Sequence, residues 1–368
     1  MMQKLGFGTM RLPTLGDDSK VDLERFQEMV DRFLEQGFTY FDTSYVYHGG
    51  MSECALKTAL VDRCPRDRFT ITTKLPIFMV KEQADVRRFF REQLGRLGTD
   101  YVDYYWLHAV NAATYETAKR VDAFGELRAL KAEGLTRHIG LSFHDSADVL
   151  DRILAEHPEM EYVQLQLNYF DWDSKSVQAR KCYEVCVKHG KQVVVMEPVK
   201  GGSLAKLPEE LEQIYRREQP GLSTASWAVR FAASLENVLV VLSSMSNMEQ
   251  VEDNTSCMKD FQPLSDVEQD AVKQVVAAIR SKITVDCTAC GACLEQCPQH
   301  IPMPAYFDMY NEHCQMNKYT NGMVYYANFP AGTGKASACD GCGKCEAVCP
   351  KKLPIRELLK EVKAAFEM

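Results

Sequence analysis

The sequence predicts an α/β chain in which a (β/α)8 TIM barrel is followed by a smaller, mainly α-helical domain. Three observations carry this expectation. Upstream of residue 260, eight short apolar runs alternate with amphipathic helical stretches, the rhythm of β/α units that close into a barrel. No G-x-G-x-x-G follows an early strand, which counts against the competing doubly wound sheet. Beyond residue 286 the rhythm stops, and eight of the fourteen cysteines crowd into two tight runs. The expected boundaries are 1–262 for the barrel, 263–282 for a linker helix and 283–368 for the small domain.

The strands are expected at 4–9, 38–42, 69–74, 102–107, 136–142, 161–167, 192–196 and 237–242. Helical periodicity occupies stretches between them, at 21–36, 82–97, 119–133, 174–189 and 248–259. Barrel enzymes place their chemistry at the C-terminal ends of strands, so polar residues there are the informative ones. Asp42 ends the second strand, and Tyr47 lies in the loop that follows. Lys74 ends the third strand after two threonines, and His108 ends the fourth after an apolar-aromatic run. Ser142 ends the fifth, Gln164 lies within the sixth, and Met196 ends the seventh ahead of Glu197-Pro198. Singly, each has a plain structural explanation. Asp42-Thr43-Ser44 makes a good turn or helix cap, Lys74 suits a strand end in solvent, and His108 suits a hydrogen-bonded core edge. Together, an acid, a phenol, an amine and an imidazole on three consecutive strand ends make a proton-transfer site.

The bulk numbers exclude several classes. A net charge of −8 leaves no basic excess to neutralise phosphates, which argues against nucleic acid. The 46% apolar and 26% charged content is that of an ordinary globular chain. The N-terminus has no apolar core of signal-peptide length, and nothing approaches the ~18 apolar residues of a membrane span. The expected location is cytoplasmic, where thiols stay reduced and a disulfide framework is ruled out. Cys54, Cys64, Cys182, Cys186 and Cys257 then read as scattered small buried or half-buried thiols, and Cys314 as a spare.

The remaining cysteines form Cys287-x2-Cys290-x2-Cys293-x3-Cys297-Pro298 and Cys339-x2-Cys342-x2-Cys345-x3-Cys349-Pro350. Both match the bacterial ferredoxin run. Three thiolates on a tight loop reach three irons of one cubane, and Gly291, Gly341 and Gly343 let the backbone curl around it. The fourth cysteine opens a helix pointing away and serves the other cluster. Two [4Fe–4S] clusters follow, one on Cys287, Cys290, Cys293 and Cys349, the other on Cys339, Cys342, Cys345 and Cys297. Zinc prefers two separated C-x2-C pairs and fits this spacing poorly. The G-T-G-K-A-S stretch at 332–337 lacks the upstream glycine of a phosphate loop and has Ala336 where Ser or Thr is needed.

On residues already quoted, the first 258 residues resemble the aldo-keto reductase family. The resemblance rests on L-G-F-G-T-M at 5–10, F-D-T-S-Y-V-Y-H-G-G-M-S-E at 41–53, T-T-K-L at 72–75 and D-Y-Y-W-L-H at 103–108. It continues through G-L-S at 140–142, Q-L-Q-L-N-Y at 164–169 and E-P-V-K-G-G at 197–202. It implies a catalytic tetrad of Asp42, Tyr47, Lys74 and His108. Tyr47 would donate a proton to a carbonyl oxygen, Lys74 would lower the phenol pKa, Asp42 would hold Lys74, and His108 would orient the substrate. It also implies NAD(P)H, with Ser142 and Gln164 on the nicotinamide carboxamide. After G-L-S, Phe143 and His144 stand where the family usually has Asn, and Met196 stands where an aromatic usually stacks on the nicotinamide. At the adenosine end, 243–254, Ser244 and Gln250 occupy the positions of the family's 2′-phosphate-binding Lys and Arg, and Asn254 closes the stretch. NADH is therefore expected over NADPH.

Two functions compete on this reading. In the first, the chain is an oxidoreductase that reduces a carbonyl or oxidises an alcohol at the barrel mouth, with electrons from NAD(P)H, the clusters, or both. A flavin would convert hydride into single electrons, but no flavin motif supports one. In the second, the barrel is a docking scaffold and the clusters exchange electrons with a partner redox protein. An acidic cluster domain, with three Lys/Arg against six Asp/Glu between Ile283 and Pro350, suits a basic partner surface. The complete tetrad favours the enzyme. Purely structural clusters are the blandest alternative.

Overall fold

The computed structural model describes residues 3–316, 322–329 and 332–367. Eight parallel strands close a barrel in chain order. They are β1 (Leu5–Gly8), β2 (Tyr40–Asp42), β3 (Thr70–Leu75), β4 (Val102–Val110), β5 (Thr136–Phe143), β6 (Tyr162–Gln166), β7 (Gln192–Met196) and β8 (Val238–Ser244). Each overlaps the run expected for it. Around them lie α1 (Leu23–Glu35), α2 (Ser52–Leu56), α3 (Gln83–Leu97), α4 (Ala112–Arg120), α5 (Ala123–Ala132), α6 (Ala147–Glu156), α7 (Ala179–Lys188), α8 (Glu209–Glu218), α9 (Thr224–Ala233) and α10 (Met248–Lys259).

The single helix expected at 119–133 is two helices. Asp122 turns left-handed (φ 49°) and its carboxylate accepts a hydrogen bond from the Gly125 amide, so it ends one helix and caps the next. The helix expected at 174–189 starts only at Ala179, because Gln178 is left-handed (φ 54°).

The alternation of strand side chains positions everything that follows. On β4, Tyr105 and Leu107 face the helices, while Tyr104 and Trp106 point into the barrel with Tyr40, Val194, Val240 and Leu242. Gly140 on β5 makes room for the indole: a Cβ there would lie 2.7 Å from Trp106 Cζ3 and 2.3 Å from the Tyr162 carbonyl oxygen. Two residues further along each strand from this filled layer stand Asp42, Lys74, His108, Ser142, Gln164, Met196 and Ser244. Strand parity turns all of them inward at the C-terminal end, the position where barrels carry their sites.

Helix α11 (Asp266–Arg280) fills most of the expected linker and is firmly packed. Its Val272, Val275 and Ile279 join Tyr215 and Trp227 in a second core, and a buried Arg230–Glu268 pair at 2.7 Å fastens it. The small domain follows with α12 (Met303–Gln315), α13 (Gly322–Ala327), α14 (Lys344–Ala347) and α15 (Ile355–Phe366). Its two halves repeat: Cys297-Pro298-Gln299-His300-Ile301-Pro302 matches Cys349-Pro350-Lys351-Lys352-Leu353-Pro354, each leading into a long helix. His300 (φ 52°) and Lys352 (φ 51°) share the same left-handed turn. The aromatic insert closes this domain's core, with Tyr306 tilted against Tyr326 (4.6 Å) and Tyr326 stacked on Phe366 (5.4 Å).

The small domain sits on the barrel's C-terminal face. Asn328 bonds Asn111 beyond β4 and His144 beyond β5, Glu312 bonds Ser174 and Ser176 beyond β6, and Ser203 beyond β7 bonds the Met316 carbonyl. Among the described residues, no helix is long and apolar enough to cross a membrane.

Candidate active site and cysteine centres

Lys74 Nζ donates to Asp42 Oδ1 at 2.6 Å and to the Thr43 carbonyl at 2.9 Å, wholly inside the protein. Behind it, Gln93 Nε2 holds the Lys74 carbonyl at 3.0 Å and the buried Glu53 at 2.8 Å, so the strand end is fixed from its outer side. Tyr47 lies on a tight turn made by two left-handed residues, His48 (φ 53°) and Gly49 (φ 61°). The His48 ring anchors this turn, accepting from the Leu12 amide at 3.0 Å and reaching the Asp18 carbonyl at 2.8 Å. The turn brings the Tyr47 ring over Lys74, whose ammonium lies 5.1 Å from the ring centre. The His108 ring stands edge-on to Tyr47 at 5.9 Å, and its Nδ1 meets Ser44 Oγ at 3.1 Å. The four residues that the sequence placed on three strand ends thus share one cluster.

The electrostatics assign their states. Burial pulls the Lys74 ammonium down, but Asp42 and Tyr47 outweigh it and hold it above its ordinary value. Burial raises the Tyr47 phenol, with Lys74 opposing, and the net direction is upward. The lysine therefore acts on the phenol as expected without bringing it below its ordinary range. Burial, Lys74 and His144 together hold His108 well below its ordinary value, so it is a neutral imidazole. A hydrogen bond donated by Ser44 to Nδ1 would leave the ring proton on Nε2.

Ser142 and Gln164 are register partners on β5 and β6, and both are buried. Among the described residues Gln164 Oε1 has no hydrogen-bond partner, an orphaned buried acceptor that suits the carboxamide group of a nicotinamide. Ser142 Oγ lies 3.9 Å from Met196 Sδ and 3.4 Å from His144 Nε2. On the far side of the mouth, Ser244, Gln250 and Asn254 line one cavity of about 220 Å³. Sequence reasoning missed three charged members of that wall: Arg11, Glu197 and Asp253. Arg11 follows directly on the L-G-F-G-T-M stretch, so its position after β1 was the available signal. It lies 3.6 Å from Glu197, so the groove does hold a guanidinium, already opposed by a carboxylate.

The cysteines gather in the crossed pattern. Cys287, Cys290, Cys293 and Cys349 line one cavity, and Cys297, Cys339, Cys342 and Cys345 line another. Among the described residues no three His, Cys, Asp or Glu side chains converge on a single metal ion; the thiols ring a space instead. Four thiols around such a space are a donor set that fits an iron–sulfur cubane. Gly291, Gly341 and Gly343 all take positive φ (79°, 77° and 72°) in the loops, and Ala289 does so without being glycine (φ 54°). Cys290 and Cys342 are exposed, so each centre has an edge at the surface.

Comparison with known proteins agrees with this division. The aldo/keto reductase family profile matches residues 4–277, and a 4Fe-4S dicluster domain profile matches residues 286–353. An aldo-keto reductase from Mycolicibacterium vanbaalenii is 30% identical over 265 residues, covering 70% of this chain and 86% of the relative. L-galactose dehydrogenase of Arabidopsis thaliana is 26% identical over 262 residues, 66% of this chain and 80% of that protein. Among solved structures, the holo form of an aldo-keto reductase from Bacillus halodurans aligns with a TM-score of 0.59 at 25% identity, covering 74% of this chain and 91% of that one. An aldo-keto reductase from Klebsiella pneumoniae in complex with NADPH aligns with a TM-score of 0.58 at 22% identity, covering 75% and 91%, a likeness of fold.

Proposed function

The chain belongs to the aldo/keto reductase family, an oxidoreductase barrel joined to a 4Fe-4S dicluster domain, and on that premise we propose that it reduces a small-molecule carbonyl, or oxidises the corresponding alcohol, at the barrel mouth. The observation that carries this reading is the buried Lys74–Asp42 pair at 2.6 Å, with the Tyr47 ring 5.1 Å from the ammonium and a neutral His108 edge-on to that ring.

In the reductive direction, the His108 Nε2–H donates to the carbonyl oxygen and fixes the carbonyl plane. Negative charge growing on that oxygen is met by the Tyr47 O–H, which gives up its proton as the charge develops. Lys74 stabilises the resulting phenolate, and Asp42 keeps the ammonium charged and pointed at Tyr47. Ser142 and Gln164 would hold the carboxamide of a nicotinamide, Met196 would offer its thioether beside them, and a bound nicotinamide would supply the hydride. Ser244, Gln250, Asn254 and Asp253 face the adenosine end. With Arg11 opposed by Glu197 and Asp253 adding a carboxylate, a 2′-phosphate gains little there, which supports NADH over NADPH. Cys287, Cys290, Cys293 and Cys349 would hold one [4Fe–4S] cluster, and Cys297, Cys339, Cys342 and Cys345 the other. The clusters would store single electrons.

The exposed edges at Cys290 and Cys342 favour a second role beside the first, electron exchange with a partner redox protein. The test is anaerobic turnover of a panel of aromatic and aliphatic aldehydes with NADH or NADPH, followed by the spectrum between 350 and 500 nm. We expect NADH-driven reduction that Tyr47→Phe abolishes. Absence of turnover with either nucleotide, together with cluster bleaching by a one-electron donor alone, would leave only the electron-transfer reading.

A further inference from the structure

Strand β4 changes register against β5 between Leu107 and Val110, immediately around His108. The cause is visible in the backbone: Ala109 is left-handed (φ 55°), a conformation that costs a non-glycine residue about 1–2 kcal/mol. Such a kink re-aims the preceding side chain, and it persists only where its surroundings over-determine it. Three contacts do so from within the barrel. The His144 amide donates to the Val110 carbonyl at 2.9 Å, Thr114 Oγ1 donates to the Ala109 carbonyl at 3.0 Å, and Asn111 caps α4.

The fourth contact comes from the other domain. Asn328, just past α13, uses both ends of its amide on this spot. Its Nδ2 donates to the His144 carbonyl at 2.6 Å, and its Oδ1 accepts from Asn111 Nδ2 at 3.0 Å. One side chain of the cluster domain thus ties the loop after β4 to the loop after β5. Next to the tie are two imidazoles, His108 of the tetrad near the end of β4 and His144 just past β5, the second of which the proposed mechanism leaves unused. Among the described residues the buried Nδ1 of His144 meets no partner, and its Nε2 is 3.4 Å from Ser142 Oγ.

We propose that Asn328 is a positioning residue for the active site: it holds the β4 kink and the β5 loop in register, so that His108 and His144 present their free ring nitrogens to the substrate and to the carboxamide of the nicotinamide. The cluster domain is then part of the catalytic apparatus through its packing, whatever electrons its clusters carry. The Arg11–Asn254 groove lies across the mouth, after β7, β8 and β1, and Asn328 does not touch it. The inference rests on the proposed carbonyl chemistry for its kinetic arm and on geometry alone for its other arm.

The test compares full-length, iron-replete wild type with Asn328→Ala and Asn328→Asp. Asp keeps the acceptor for Asn111 but loses the donor to His144. Hydrogen exchange should quicken in both variants in peptides spanning 108–115 and 141–147, while iron content and exchange in 70–75 stay at the wild-type level. With 4-nitrobenzaldehyde as probe, kcat should fall on the order of 10- to 100-fold, the loss that misplacement by about an ångström brings, and the NADH Kd should stay within about twofold. Unchanged exchange in both peptides overturns the clamp, and does so even if wild type reduces no aldehyde. Faster exchange with wild-type kcat makes Asn328 a docking contact only, and a parallel loss of NADH affinity shows general collapse; either overturns the positioning role.

Discussion

The Lys74 ammonium and the Asp42 carboxylate meet at 2.6 Å with their side chains only 1% and 4% exposed. Each charge is stranded if the other is removed, because both side chains are almost fully buried. Removing one partner of such a pair costs about 3–5 kcal/mol. Asp42→Ala should therefore lower the barrel's apparent unfolding free energy by that amount in urea titrations. A variant as stable as wild type would mean that Lys74 sheds its proton or finds water when Asp42 is gone.

Tyr47→Phe removes the hydroxyl of the ring beside Lys74 and no contact at the Arg11–Asn254 groove. Carbonyl reduction should drop by at least about 10²-fold, the usual range for general acid catalysis, with the NADH Kd little changed. Lys74→Met should act in the same direction, since the phenol then keeps the upward push of burial and of the Asp42 and Glu197 carboxylates with nothing opposing it. Stopped-flow and nucleotide titrations read the two quantities separately. Near wild-type turnover in Tyr47→Phe would assign the proton to another group.

Burial and Lys74 bring His144 down to about 4, and His108 is held well below its ordinary value by burial, Lys74 and His144. In the unfolded chain both titrate near ~6.5. Between those values the unfolded state binds the extra protons, so stability falls as pH drops from about 6.5 toward 4. Thermal melts at pH 7 and pH 5 should show a smaller loss in His144→Gln than in wild type. The rate profile should carry no acid limb near 6.5; a limb there would mean that an imidazole in the site is solvated.

Crossed ligation makes distant cysteines equivalent. Cys349→Ser should cost the cluster that Cys287, Cys290 and Cys293 share, taking iron from about eight to about four per chain. Cys293→Ser with Cys349→Ser should lose no more than either alone, whereas Cys293→Ser with Cys297→Ser should lose both clusters. Iron analysis and reduced-state paramagnetic resonance distinguish these outcomes. Additive loss in the first pair would overturn the assignment.

Ala289 and Gly341 are equivalent positions in the two cysteine loops, and both are left-handed (φ 54° and 77°). Only glycine takes that conformation without strain. Ala289→Gly removes a penalty of about 1–2 kcal/mol at some entropic cost, leaving a gain of about 0.5–1 kcal/mol. Cluster loss under a chelator, followed by absorbance near 400 nm, should slow in this variant. Faster loss would show that the alanine methyl contributes more than its strain costs.

The sequence alone determined whatever depends on local period and spacing. Eight apolar runs with helices between them defined the barrel, and two-residue alternation along each strand turned Asp42, Lys74, His108, Ser142 and Gln164 to one side. The cysteine spacing carried its crossed pairing because the loop and the outgoing helix are local objects. Other features needed the closed fold. Asp122 and Gln178 broke expected helices through left-handed turns that no apolar period records. Arg11, Glu197 and Asp253 share a groove wall only because β1, β7 and β8 meet when the barrel closes. The net upward direction at Tyr47 reflects burial, which is summed over neighbours brought in from many parts of the chain. Asn328 lies 184 residues from His144. A hydrogen bond over that separation has no sequence signature, because its two partners are adjacent only once the small domain has packed onto the barrel.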